Sequence, residues 1–130
     1  MRLLVDGMNV IGSKPDRWWR NRERAMRRLV ASLGAFSAAT GVGVVVVLDS
    51  APFDLEEDFE GVTVRFAPGG RDAADDEIVS IVQADPAPET LVVATSDREL
   101  QRRVEALGAK VGHAKSFRER LDELGSQETE

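Results

Sequence analysis

Four short stretches of the chain end or begin on aspartates where a core pattern gives way. The run Leu3-Leu4-Val5 stops at Asp6, and the valine-rich run 42–48 stops at Asp49. The stretch "TLVVAT" (90–95) passes through Ser96 into Asp97, and "DAADDE" (72–77) opens a further segment with Asp72, Asp75 and Asp76. Carboxylates gathered in one cleft repel one another and raise each other's pKa. A divalent cation relieves that repulsion, and ligands that are all oxygen suit Mg²⁺ or Mn²⁺. With no cysteine and one histidine, a zinc site has little to draw on. A Mg²⁺ or Mn²⁺ ion can activate water and stabilise a highly charged transition state, and phosphodiester hydrolysis is one reaction that needs both.

Such a site exists only if the fold brings these acids together. Short apolar runs alternate with helix-period segments along the chain. Strand-like runs fall at residues 2–6, 43–49, 62–67, 90–95 and "AKVGH" (109–113). Helical periodicity runs from about Trp18 to Thr40, where Met26, Leu29, Val30, Leu33 and Phe36 make one apolar stripe ended by Gly41. Further helices are predicted over about 72–83, 97–107 and 115–124, with residues 125–130 as a frayed tail. "GVVVVLD" is too rich in valine for a half-exposed strand. Strands alternating with helices predict one domain over 1–124, an open α/β/α sandwich around a parallel sheet. In such sheets ligands bind beyond the carboxyl ends of the strands, and all the acids above map to that edge.

Each acid also has a structural explanation. Asp72 stands where an N-cap would, and Asp75 and Asp76 fall in a first turn, where the helix dipole favours negative charge. Ser96 and Glu99 fit the S-x-x-E capping box, with Asp97 in the first turn. Asp6 and Asp49 are different, since ending a strand does not call for aspartate. At 100° per residue, Ala74, Ile78, Ile81 and Val82 form a buried stripe with Asp75 on its flank. Asp76 turns a further 100° outward, so Asp75 is the expected ligand and Asp76 faces water or an outer partner. Glycine at position 7 is expected to let the chain turn after the strand. Asn9 is expected to hold Asp6 or a ligand through its amide, and Thr95 and Ser96 to bond a metal-bound water.

The net charge of -6 is unevenly spread. Residues 1–40 carry eight Lys/Arg against three Asp/Glu, and the remainder nine against twenty. The excess lies in "KPDRWWRNRERAMRR" (14–28), which excludes a uniformly basic nucleic-acid binder and leaves a polarised one. Arg17, Arg20, Arg24, Arg27 and Arg28 are candidates to hold phosphates, with Trp18 or Trp19 stacking an unpaired base. The competing view is a solvated helix with a tryptophan packed onto the core. Arg71 and Arg98 flank the proposed ligands and are further phosphate contacts, whereas His113 is read as structural. The absence of cysteine, of a secretory leader and of any apolar run long enough for a bilayer leads to the expectation of a cytoplasmic protein without membrane partners. No phosphate-binding glycine loop occurs.

Together, "LLVDGMNVI", "VVVLDS", "FAPGGRDAADDEIV" and "VVATSDRELQRRVEALGAKV" resemble the NYN domain, in its YacP-like branch of the PIN-like nucleases. The resemblance covers roughly residues 2–122. It implies a parallel sheet ordered 3-2-1-4-5 and a metal-dependent ribonuclease site. The active-site acids it implies are Asp6, Asp75 and Asp97, with Asn9 in the D-G-x-N position and Asp49 as a less direct match. It also implies, for some members, action on RNA at the ribosome. Two other readings compete. One is a module of the same fold that binds RNA at residues 17–28 without cutting it. The other is a receiver-type phosphoacceptor domain, which fits poorly because Asp6 is followed by Gly7 and not by a second acid.

Overall fold

In a computed structural model the described residues are 1–49, 59–69 and 72–128, with side chains to residue 124. Five strands form one parallel sheet: β1 (Arg2–Asp6), β2 (Gly43–Asp49), β3 (Val62–Ala67), β4 (Leu91–Ala94) and β5 (Lys110–Gly112). Their order across the sheet is β3-β2-β1-β4-β5, with every adjacent pair parallel. The α/β sandwich and the 3-2-1-4-5 order are as expected from the sequence.

The helices are α1 (Gly7–Ile11), α2 (Arg22–Thr40), α3 (Ala73–Ala84), α4 (Arg98–Ala106) and α5 (Ala114–Glu128). Two apolar clusters cover the two faces. Leu3, Val5, Val44, Val46 and Leu48 pack with Met26, Val30, Leu33 and Phe36 of α2 and with Phe117 and Leu121 of α5. Leu4, Val47 and Val93 pack with Ile78 and Val82 of α3 and with Leu100 and Val104 of α4. Successive residues of β1 and β2 thus enter opposite cores, which is why those strands read as unbroken apolar runs.

Three boundaries differ from the sequence reading. The long helix does not start at Trp18. Trp18–Arg20 is a single 3₁₀ turn, and α2 starts after Asn21, whose side chain accepts from the Arg24 N–H at 3.0 Å. The last helix continues past 124 to Glu128. The segment after Asp6, expected to be an open turn, is the short helix α1. Gly7 is its first residue, and the need for glycine there is spatial. A Cβ at position 7 would lie 2.5 Å from Leu48 Cδ2 and 2.7 Å from the Val47 carbonyl oxygen. The chain approaches β2 so closely that any side chain is shut out. Gly41, at φ +74°, ends α2 in the left-handed conformation that favours glycine.

Candidate active site

Because all five strands are parallel, the carboxyl ends of β1, β2 and β4 and the start of α3 share one edge. Asp6 closes β1 and is only 5% exposed, the one buried carboxylate among the described residues. Its Oδ2 accepts a 2.8 Å hydrogen bond from the hydroxyl of Thr95, itself fully buried at the end of β4. Burial drives the Asp6 pKa up to about 6, and the Asp75 and Asp97 charges push the same way. The bonds from Thr95 and from the Asn9 backbone act in the opposite sense and do not cancel it.

Asp75 lies half-buried in the first turn of α3, and Asp76 beside it is exposed. The pKa of Asp75 is raised as well, first by desolvation and then by the charges of Asp97 and Asp72. Asp76 instead faces Arg103 of α4 at 3.4 Å. The geometry therefore separates the two adjacent aspartates as the helix periodicity predicts.

Asp97 is the N-cap of α4, with Oδ1 accepting from the Glu99 N–H at 3.0 Å and the Leu100 N–H at 3.2 Å. The expected capping box built on Ser96 is thus displaced by one residue. Ser96 Oγ lies 3.2 Å from His113 Nδ1 and accepts from the Ala114 N–H at 3.2 Å. Asp72 occupies the N-cap position of α3 in a left-handed conformation, φ 63°, but its side chain caps nothing.

The Asn9 amide does not hold Asp6. Its Oδ1 accepts from the Ser96 N–H at 2.8 Å, joining α1 to the loop after β4. The Asp6 carboxylate is positioned by Thr95, whose hydroxyl oxygen also accepts from the Asp97 N–H at 3.1 Å. Thr95 is therefore the link between two of the acids, and not a free donor for water. Asp49 reaches the same edge two residues beyond the level of Asp6, since Asp6 pairs with Val47. Its side chain is 47% exposed and bonded to Arg22 at 2.9 Å.

Of the other candidates, Trp18 is half-buried against the core and touches Trp19 edge-on at 6.3 Å, while Trp19 stays 58% exposed. Arg17, Arg20, Arg24 and Arg28 are exposed. Arg27 is half-buried and pairs with Glu23 at 3.5 Å. Arg98 is exposed at the start of α4, beside Asp97. Arg71 lies outside the described residues. The sequence gives no sign of Arg118 of α5, which donates to the carbonyl of Ile11 and to Asp16 and so fastens the end of α1. A long-range contact of that kind leaves no local pattern.

A family model for the YacP-like NYN domain matches residues 3–130. The chain belongs to the YacP-like NYN domain family. Among solved structures it is similar to Rae1 (YacP) from Bacillus subtilis, at 27% identity and a TM-score of 0.81, covering 98% of this chain and 76% of that one. The W164L mutant of the same protein matches at 29% identity and a TM-score of 0.77, over 98% and 79% of the two chains. No curated protein matches. A NYN domain points to nuclease-type chemistry with RNA as substrate or partner. Among the described helices none is long and apolar enough to cross a membrane. The receiver reading falls with the strand order, since flavodoxin-like receiver domains are ordered 2-1-3-4-5.

The donor set of this NYN domain suits a hard divalent cation. It offers carboxylate oxygens only, one of them buried at a charge cost that a cation would remove. Among the described residues no three acidic, histidine or cysteine side chains are already close enough to grip an ion. The charges of Asp75 and Asp97 nonetheless raise the Asp6 pKa, and that of Asp97 raises the Asp75 pKa, so the three acids share one electrostatic neighbourhood.

Proposed function

We propose that the protein is a metal-dependent endoribonuclease, with Asp6, Asp75 and Asp97 holding Mg²⁺ or Mn²⁺ and RNA as the substrate. The observation that carries this reading is the buried Asp6 carboxylate, raised to about pKa 6 and facing two further aspartates with no cation from the protein bonded to it. Structural carboxylates are normally paired, and a buried, perturbed carboxylate that faces other acids without a counter-charge is the mark of a functional site. The chemistry a bound divalent cation supplies is activation of water and stabilisation of charge on the phosphorus centre.

The protein's own residues prepare that chemistry. Thr95 fixes the orientation of Asp6 and, through the Asp97 N–H, the start of α4. Asn9 ties α1 to the Ser96 backbone and so links the ends of β1 and β4. Asp49, bonded to Arg22, is an outer group that orients water or substrate and not a primary ligand. The setting proposed is cytoplasmic, with RNA at the ribosome among its substrates.

The test is incubation of single-stranded and structured RNAs with Mg²⁺, with Mn²⁺ and with EDTA. Internal cleavage that needs metal is expected. Cleavage unaffected by EDTA overturns the mechanism, and RNA bound but never cut supports the non-cleaving module instead. Dependence of mRNA cleavage on translation checks the ribosomal setting.

A further inference from the structure

A second feature lies on the other face of β1 from α3 and α4. Between α1, the 3₁₀ turn, α2 and α5 runs a groove of about 310 Å³. Its floor is apolar, with Val10, Ile11, Leu29 and Leu121, and Trp18 forms part of its wall. The basic residues of 14–28 divide sharply around it. Lys14 pairs with Asp122, Arg22 with Asp49 and Arg27 with Glu23. Arg17, Arg20, Arg24 and Arg28 form no ion pair among the described residues, and all four line the groove. Two acids reach it, Asp16 and Asp122, and each is already neutralised, by Arg118 and Lys14 respectively.

Arg24 and Arg28 stand four residues apart on one face of α2, and Arg20 reaches the groove from the 3₁₀ turn that precedes it. Arg17 adds a fourth guanidinium from a left-handed backbone, φ 59°, an unusual conformation for arginine. Four guanidinium groups without an ion pair among the described residues flank an apolar floor, and phosphate oxygens would engage them in charge-assisted, bidentate bonds. The exposed Trp19 beside them offers a stacking face.

We infer that this groove is an exosite for single-stranded RNA, in which Arg17, Arg20, Arg24 and Arg28 hold successive phosphates and Trp19 stacks a base. The inference rests on the ribonuclease reading for the identity of the chain, but the binding it describes needs neither metal nor cleavage. Helix α1 joins the two places. It starts next to Asp6 and its last residues line the groove, a span of about 7.5 Å at 1.5 Å per residue. A strand crossing that span enters the site already oriented, with the groove selecting unpaired RNA because a duplex has no free base for Trp19.

The chain has two tryptophans, Trp18 in the groove wall and Trp19 in edge contact with it, and no tyrosine, so its intrinsic fluorescence reports on this region. Octauridylate titrated in EDTA is expected to quench that fluorescence, in the wild type and in Asp6→Asn alike. The double variant Arg24→Ala/Arg28→Ala should bind at least about tenfold more weakly. Its slope of log K against log salt should fall by about 1.4, at about 0.7 per phosphate contact in a single strand. Arg22→Ala/Arg27→Ala removes the same charge and should bind within about threefold of wild type, because those side chains are engaged elsewhere. Equal losses in the two double variants would reduce the groove to diffuse charge and overturn the inference. So would unchanged binding in Arg24→Ala/Arg28→Ala, or uridine 5′-monophosphate binding as tightly as the octamer. Quenching in EDTA by a protein that never cleaves RNA would leave the exosite standing and remove the ribonuclease reading.

Discussion

Strand β1 carries a charged group at each end, and the two ends are handled in opposite ways. At the amino end Arg2 grips Asp85 through both carboxylate oxygens, at 2.6 and 2.8 Å, and the Ala87 N–H adds a third bond at 2.8 Å. The Arg2 hydrogen bond leads in holding Asp85 down at about pKa 2. At the carboxyl end Asp6 is buried, faces Asp75 and Asp97, and is raised to about 6. One acid is ionised with its counter-charge built in. The other is kept short of a counter-charge, at a stability cost the fold carries without structural benefit to itself. That contrast separates acids that hold the protein together from acids held ready for a ligand.

The largest expected effect tests the ready end. Asp75→Asn and Asp97→Asn should each lower RNA cleavage by more than about 100-fold, beyond the usual cost of losing an outer-shell partner. Asparagine is as good an N-cap as aspartate, so Asp97→Asn keeps α4 and isolates the chemistry. Cleavage rates measured beside thermal unfolding separate the two. Asp49→Asn should cost far less, because Asp49 is committed to Arg22.

Next comes Gly7→Ala, which should destabilise the protein by about 1–3 kcal/mol through overpacking against Leu48 and the Val47 carbonyl. Denaturant unfolding reads it. A neutral result would mean that α1 can move away from β2, and with it the backbone that follows Asp6.

Thr95→Val removes the donor to Asp6 without changing the side-chain shape. Cleavage should fall about tenfold. The acid limb of the pH–rate profile should shift to higher pH, since that bond is what restrains the Asp6 pKa.

Asp85→Asn, at the paired end, should leave cleavage unchanged. The folded pKa of Asp85 lies below its ordinary 3.8, so its contribution to stability is present above pH 4 and disappears as pH falls towards 2. The variant should therefore lose stability at neutral pH and show a flatter acid transition. Impaired cleavage in this variant would mean that the paired end of β1 also serves the chemistry.

Much of this was legible in the sequence for a physical reason. Strand ends and helix starts leave period signals, and a parallel sheet puts all of them on one edge. Asp6, Asp75 and Asp97 could thus be assigned to one region before any coordinates, and the 100° step between Asp75 and Asp76 is reproduced in their exposure. What sequence does not encode locally is which long-range partner a polar group finds. Asn9 is expected to hold Asp6 or a ligand, and its amide oxygen accepts from the Ser96 N–H, 87 residues away. Asp97 takes the capping role expected of Ser96, whose hydroxyl is engaged instead with His113 and the Ala114 N–H. Gly7 fits a turn or a close contact equally well on paper. The arginines of 14–28 look alike in sequence, and their partners in space divide them.

The most direct test of the central claim is Asp6→Asn, with cleavage and thermal stability measured on the same preparation at pH 7.5. The folded pKa of Asp6 is raised above 3.8 to about 6, so the charged form is disfavoured in the fold. The penalty is absent below about pH 4, grows as pH rises, and is complete above pH 6, at about 3 kcal/mol for a shift of roughly two units. A neutral amide avoids it. Asp6→Asn is expected to lose metal-dependent RNA cleavage while melting at a higher temperature than wild type. A variant that cuts RNA as well as wild type, or one that loses cleavage only because it has lost its fold, would contradict it.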